Sequence, residues 1–518
     1  MSSMQVPGRS IPSRILIISS CFALVWVLVA RSLGPSDLWD QTQPRTVSYT
    51  TDIIVNGGSH WILPFERDVR PATKPPLYNW LAVPAVRLLG FDSEIAHKLP
   101  SIAALCLCWL LVMRLGRAID IKSGGALGWL AGLCLVTNYG VFKLGFLARP
   151  DMVLTTWLLL AWMLGTSVIV KPVASGWRAA GFWLCIALAG LTKGPAAIVG
   201  VVSIVLTARI VGGSWSHVRT LRPIAGAFFC MLIIGCWGFG VWRIDSDHLM
   251  GRLWFQEFFG RISGTGEEGR GYHGPLDYLL SLSYQSLYFL TRFFPWSLPS
   301  IAAILMIGRR KREGDHAEFP SLSATHDWMR SAMIFVIVTV GLYSVSVGKR
   351  ADYIAVAFPQ AALLAAWWML HASRGVLWQR LAPATALVTL IVLTVHNQLE
   401  LVPAPKGFGD EILRFAQEAN QRIAAEPLPV VHCWSGETHL LALMGAAREG
   451  GRDRLMETVK LKQPFWLVSG RKGTQPEDVG EWLEQVRPVT AEPVLRTTVM
   501  PQEHGWLRQV TLFRVTPQ

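Results

Sequence analysis

The chain has 518 residues, of which 51% are hydrophobic and 16% charged, with 23 Trp. A soluble domain of ordinary composition carries about 25% charged residues, so this one reads as a polytopic α-helical membrane protein. The net charge of +13 would suit nucleic acid, but no basic, aromatic-interleaved soluble module accompanies it. Positive-inside loops and a phosphate-bearing ligand account for the excess, and no nucleic acid partner is expected.

Apolar runs of about 18 residues can cross a bilayer. In chain order the runs lie at residues 15–30, 99–113, 126–142, 152–170, 177–191, 196–208, 223–242, 297–308, 331–348, 353–370 and 381–395. They predict about 11 to 13 transmembrane helices, the shorter runs as tilted or shielded crossings. Arg9 and Arg14 precede the first run as they would in a signal peptide. That run is at the long end for a signal core of about 7–15 residues, and more hydrophobic segments follow, so an uncleaved helix is expected. Of the 8 cysteines, only Cys433 lies in a polar region, and no disulfide framework or zinc spacing results.

Orientation follows the basic residues of the short loops. Arg114, Arg117 and Lys122, then Lys171 and Arg178, then Arg209, Arg219 and Arg222, then Arg309 to Arg312, then Arg374 and Arg380 mark alternate loops as cytoplasmic. The remaining loops are external, the first of them at 32–96, with short interfacial helices expected at 48–55 and 77–89. The loop at 243–277 contains a literal G-x-G-x-x-G at 264–269. No βαβ unit surrounds it, so it is read as a mobile lid and not a dinucleotide site.

The composition changes near residue 401, dividing the chain into a membrane domain at 1–400 and a soluble external α/β domain at 401–518. In the second, 411–425, 440–444 and 480–486 read as helical. Residues 428–434 and 465–469 read as buried strands, and 494–500 with 509–515 as a closing strand pair.

On this topology Asp40, Lys74, Asp151, Lys193, Glu257, Arg261 and Arg350 emerge at one membrane face, where charges are costly and mark functional sites. Each has a plain structural reading. Asp40 and Asp37 resemble solvated loop acids, and Lys74 a snorkelling lysine. Asp151 suits a helix N-terminus. Glu257 and Arg261, four apart, could simply pair. Lys193 interrupts an apolar stretch and needs a partner or a wet cavity, while Arg350 is basic on the face where basic residues are disfavoured.

The motifs run in order: Asp40-Gln41, then T-K-P-P-L-Y-x-W from Thr73, A-R-P-D-M from Ala148, L-T-K-G-P from Leu191, E-F-F-x-R from Glu257, F-F-P-W-S from Phe293, and G-K-R-x-x-Y ending at Tyr353. This order resembles the GT-C membrane glycosyltransferases, within them the bacterial lipid A aminoarabinose transferases and protein O-mannosyltransferase relatives. The resemblance covers roughly residues 14–400, and the C-terminal domain fits in position and size only.

It implies a GT-C fold in the bacterial inner membrane with the active site and C-terminal domain periplasmic. The implied activity is inverting transfer from a polyprenyl-phosphate-linked sugar donor to a lipid, glycan or protein acceptor, among membrane lipids. Asp40 matches the catalytic first-loop aspartate and Asp151 the second acidic site residue. Lys74 and Arg261 match phosphate-contacting positions, joined as donor-phosphate ligands by Lys193, Arg350 and Tyr353. Glu257 stands where a divalent metal ion could bind. Phe258 replaces the histidine expected beside it, and Thr73 the acid expected before Lys74, which weakens any transfer of the metal site and of the aminoarabinose substrate.

Growing charge on a departing lipid phosphate calls for the cations. The oxocarbenium-like sugar and the acceptor hydroxyl call for a carboxylate, for which Asp40, ionised among cations, is suited. The alternative is a transporter or flippase of a lipid-linked anion. That would favour internal inverted repeats, and none is visible.

Overall fold

The computed structural model describes residues 13–40, 42–66, 70–120, 123–170, 176–251, 253, 275–310, 320–371, 375–399, 408–433, 438–445, 455, 458–460, 463–469, 488–497 and 510–518. Among the described residues eight helical stretches are long and apolar enough to cross a membrane, and the pair Leu276–Arg292 and Ser297–Gly308, bent by 118°, makes a ninth if it is one span.

The stretch Gly176–Ile210 holds two passes. Helix Gly176–Lys193 ends with Lys193 on Asp151, the first residue of helix Asp151–Val170. Helix Ile198–Ile210 returns alongside, its Thr207 meeting Ser331, which also meets Thr166 near the far end of Asp151–Val170. The reversal uses Gly194 at φ 48° and Pro195, residues suited to a break in a helix. The run expected at 126–142 breaks at Thr137–Asn138 into Ala126–Val136 and Tyr139–Leu144, with Asn138 Oδ1 accepting from Val141 N–H as an N-cap. Trp296 of the F-F-P-W-S motif donates its indole N–H to Thr137 across this break.

The helix ends sort to two opposite faces. Thr325 donates to the carbonyl of Ile119, Arg330 to that of Ile210, and His371 sits 3.7 Å from Asp120. Those ends carry the basic loops. The other face gathers Arg31, Asp37, Asp40, Lys143, Arg149, Asp151, Lys193 and Asp352. Alternation inferred from loop charge is therefore realised in the packing. Small residues permit it: a Cβ on Gly128 would lie 2.1 Å from the Met113 carbonyl oxygen, so helices Glu94–Ile119 and Ala126–Val136 touch backbone to backbone.

The first loop is helical in large part. Helix Gln43–Asn56 is longer than expected at 48–55, and its residues Thr46 to Ile53 are all buried inside the protein. Helix Leu77–Leu89 follows Pro76, as the two prolines predict, with its exposed Leu88 and Leu89 on the outer side. Within the first of these helices Asp52 accepts from Asn56, His60 and the Phe65 N–H, which ties the helix to the segment that follows it.

In the C-terminal region helix Phe408–Ala425 precedes a four-stranded sheet. Its order is Val430–Cys433, Phe465–Ser469, Thr511–Pro517, Val489–Arg496, with the first pair parallel and the others antiparallel. The helix expected at 480–486 lies outside the described residues, as does the glycine-rich stretch at 264–269. This region is not sealed off at residue 401. Leu38, Val47 and Ala148 share one apolar core with Ile412, Phe415, Ala416 and Leu440 to Met444.

Candidate active site

Asp40 lies in the segment between helices Ser13–Ser32 and Gln43–Asn56. Its carboxylate is 3.5 Å from Lys143 Nζ, each side chain about three-quarters buried at 25% and 21% exposure. Both line a cavity with Trp39, Tyr139, His396 and Asn397. Burial pushes the Asp40 carboxyl up from its ordinary range and Asp37 adds to this, while Lys143 and Arg149 pull the other way without prevailing. The Asp40 carboxyl therefore lies above the ordinary aspartate range, with Lys143 and Arg149 limiting the rise.

Asp37 is not a solvated loop acid. Arg31 and Lys98 each approach its carboxylate to 2.5 Å, Glu94 holds the other side of Lys98, and Gln43 donates to the Asp37 carbonyl at 2.6 Å. Burial would raise the Asp37 carboxyl, but Lys98 and Arg31 outweigh it and hold it well below the usual range. The Asp37 carbonyl in turn accepts from the Asp40 N–H at 2.8 Å. Lys98 is only 1% exposed, so Lys98→Met leaves Asp37 with Arg31 alone and takes the cation from Glu94, and is expected to destabilise the protein by about 1–3 kcal/mol. A melting temperature in detergent equal to wild type would contradict this.

The second acid is the hub of another cluster. Asp151, 3% exposed, is paired with Lys193 at 2.5 Å and with Arg149 at 3.0 Å, and Arg149 reaches Asp352 at 2.8 Å. Lys193 also lies 4.8 Å above the Tyr353 ring. The costly lysine in the apolar stretch thus finds both a carboxylate and an aromatic face. Beside this cluster a cavity is lined by Arg45, Tyr49, Thr73, Lys74, Asn79 and Arg350. Lys74 is near enough to act electrostatically on Asp151, as Arg149 does on Asp40.

Six of the predicted residues therefore come to one face but not to one cavity. Lys74 and Arg350 line one cavity, and Asp151, Lys193 and Tyr353 cluster beside its lining residues Pro150 and Thr192. Asp40 lines the second, with Arg149 electrostatically coupled to both acids. Glu257 and Arg261 lie outside the described residues. Sequence reasoning missed Lys143, Arg45, Asp352 and the linking role of Arg149. Arg149 stands inside the quoted A-R-P-D-M motif, and Asp352 inside G-K-R-x-x-Y. Lys143 and Arg45 carried no motif signal. Among the described residues no group of three or more His, Cys, Asp or Glu could hold a metal ion. Asp151 and Asp352 are committed to cations, and Asp40 to Lys143.

The fold superposes on that of solved proteins. ArnT from Cupriavidus metallidurans bound to undecaprenyl phosphate matches with a TM-score of 0.67 at 16% identity, covering 97% of this chain and 98% of that one. Its apo form matches at 0.66. The chain has the GT-C fold. Residues 73–238 of this GT-C protein match the sequence family described as dolichyl-phosphate-mannose-protein mannosyltransferase. That segment begins at Thr73 and includes Lys74, Lys143, Arg149, Asp151 and Lys193. An undecaprenyl phosphate-α-4-amino-4-deoxy-L-arabinose arabinosyl transferase from Pectobacterium carotovorum is 24% identical over 356 residues, 68% of this chain. A namesake from Shewanella sediminis is 23% identical over 346 residues. The aligned part spans 58% and 56% of these two relatives' lengths, less than two thirds of either.

Proposed function

We propose that this protein is an inverting glycosyltransferase. It moves a sugar from a polyprenyl-phosphate-linked donor to a lipid, glycan or protein acceptor at the external, periplasmic face of a bacterial inner membrane. The observation that carries the reading is the split arrangement: the basic side chains Arg45, Lys74 and Arg350 line one cavity, and Asp40 lines another, at the same end of a GT-C bundle. Inversion needs the acceptor oxygen and the leaving oxygen on opposite faces of the sugar carbon. A sugar lying between the two cavities meets that requirement.

Lys74, Arg350 and Arg45 take the donor phosphate and stabilise the charge that grows on it as the C1–O bond breaks. Arg149 and Lys193, fixed on Asp151 and Asp352, form a charge-balanced cluster beside that cavity. Asp40 accepts the proton of the acceptor hydroxyl as it attacks C1. Lys143 opposes the rise that burial imposes on that carboxyl. The relatives' names specify aminoarabinose, but Thr73 and Phe258 depart from their pattern, so the sugar class here stays at a polyprenyl-linked sugar. The direct test is mass spectrometry of envelope lipids and glycans from cells with and without the protein. A glycosylated species that depends on both the protein and Asp40 is expected, and unchanged profiles would overturn the reading.

A metal is proposed to be optional. The acids present are neutralised by Arg149, Lys193 and Lys143, so activity is expected to survive chelation. Complete loss in chelator, restored by one divalent ion, would place a metal on residues such as Glu257.

Sidedness is checked by cysteine labelling in protein lacking its native cysteines. A reagent that cannot cross the membrane is expected to label Gly266→Cys and Gly473→Cys and to miss Glu313→Cys. Labelling of Glu313→Cys with protection of Gly473→Cys would invert the topology.

A further inference from the structure

The C-terminal domain touches the segment that carries Asp40. Helix Phe408–Ala425 starts against it: Asp410 Oδ1 accepts from the Ser36 N–H at 2.9 Å. One residue earlier, a Cβ on Gly409 would lie 1.8 Å from the Ser36 carbonyl oxygen and 3.0 Å from Trp39 Cδ1. So close an approach admits only glycine. Leu38, 2% exposed, is buried in the core that holds Ile412, Phe415 and Ala416. Within four residues of Asp40, then, the C-terminal domain holds a backbone N–H, a backbone carbonyl and an apolar side chain. The membrane helices hold the other side through Arg31 and Lys98 on Asp37.

We infer that the C-terminal domain is a positioning element for Asp40, acting through Gly409 and Asp410 on the backbone of Ser36. This rests on the reading of Asp40 as the base. A domain present only as ballast or for acceptor recruitment has no reason to bury Leu38 or to give up a side chain at 409. The segment from Ser36 to Asp40 is short, and the Asp40 N–H is bonded to the Asp37 carbonyl next to Ser36, so displacement at Ser36 passes to Asp40. A methyl group at 409 must push Ser36 by more than 1 Å to reach van der Waals distance. A misplacement of about 1 Å costs on the order of 10²-fold in rate. Residues Lys74 and Arg350 stand in the other cavity, so donor-phosphate binding is left intact.

The test uses the full chain in detergent. The Asp40–Lys143 pair is partly exposed and close enough for zero-length carbodiimide coupling, mapped by mass spectrometry. Gly409→Ala and Asp410→Ala are each expected to lower the coupling yield severalfold and transfer about tenfold or more, with undecaprenyl phosphate binding unchanged. Asp410→Asn, which keeps the accepting oxygen, is expected to restore both. Glu411→Ala, which removes an acid from the same helical turn without touching Ser36, serves as the control and leaves both near wild type. The acid limb of the rate profile is also expected to rise in Gly409→Ala, because Asp40 loses the pull of Lys143. A protein that merely folds less well would lose amplitude without moving the limb.

Wild-type coupling and turnover in Gly409→Ala and Asp410→Ala protein that binds undecaprenyl phosphate would overturn the inference. So would equal losses in Glu411→Ala. Failure of the underlying reading looks different: Asp40→Asn would then turn over normally, whatever the coupling yields.

Discussion

Asp40→Asn is expected to lower sugar transfer by about 10²-fold or more, with undecaprenyl phosphate binding unchanged. The amide keeps the shape and the backbone hydrogen bond to Asp37 but cannot take a proton from the acceptor. The assay is transfer by correctly inserted, purified protein, and near-normal turnover would end the role assigned to Asp40. The same carboxylate sets a pH dependence. A base must be ionised, so activity is present above its pKa and lost as pH falls through it. Burial raises the Asp40 carboxyl above the ordinary aspartate value, so the loss begins at higher pH than for an exposed aspartate. Lys143 opposes burial. Lys143→Met is therefore expected to move the acid limb upward again, and a limb that stays put or moves down would separate Lys143 from the base.

Lys74→Ala is expected to weaken binding of undecaprenyl phosphate by about ten- to a hundredfold, the equivalent of one charge-assisted contact. Arg350→Ala is expected to do the same, and Arg350→Lys to recover only part, since the planar fork is lost. Titration calorimetry on detergent-solubilised protein measures both. Lys193→Ala should act differently. Its ammonium is spent on Asp151 and the Tyr353 ring, so stability falls more than donor affinity. Wild-type affinity in both Lys74→Ala and Arg350→Ala would make the cavity cations structural.

Much of this protein was legible before any coordinates. Its helical runs came from apolar length, their alternation from Lys and Arg in short loops, and the candidate acids from motif order. These are local properties, and membrane insertion reads them locally: a run of apolar residues must satisfy its own backbone as a helix wherever it sits in the bundle. Helix Leu77–Leu89 and strand Phe465–Ser469 have the bounds expected for them, because Pro76 and an uninterrupted apolar run mark them. Where the local signal was mixed the reading slipped. The 126–142 run breaks at Asn138, whose side chain caps a new helix.

Only the tertiary structure decided which charges meet. Asp37 and Asp40 are three residues apart and alike in sequence. One is clasped by two buried cations from helices Ser13–Ser32 and Glu94–Ile119, and the other faces a cavity opposite Lys143. No periodicity separates them, since partners come from segments 61 and 103 residues further on. The same holds for the division of the site into two cavities and for the role of Arg149 between them. It holds most for Gly409, a glycine in a polar region with no motif around it. Its meaning lies wholly in the Ser36 carbonyl 373 residues away. Long-range pairing of this kind depends on where rigid helices place their ends, and that is a property of packing and not of any window of sequence.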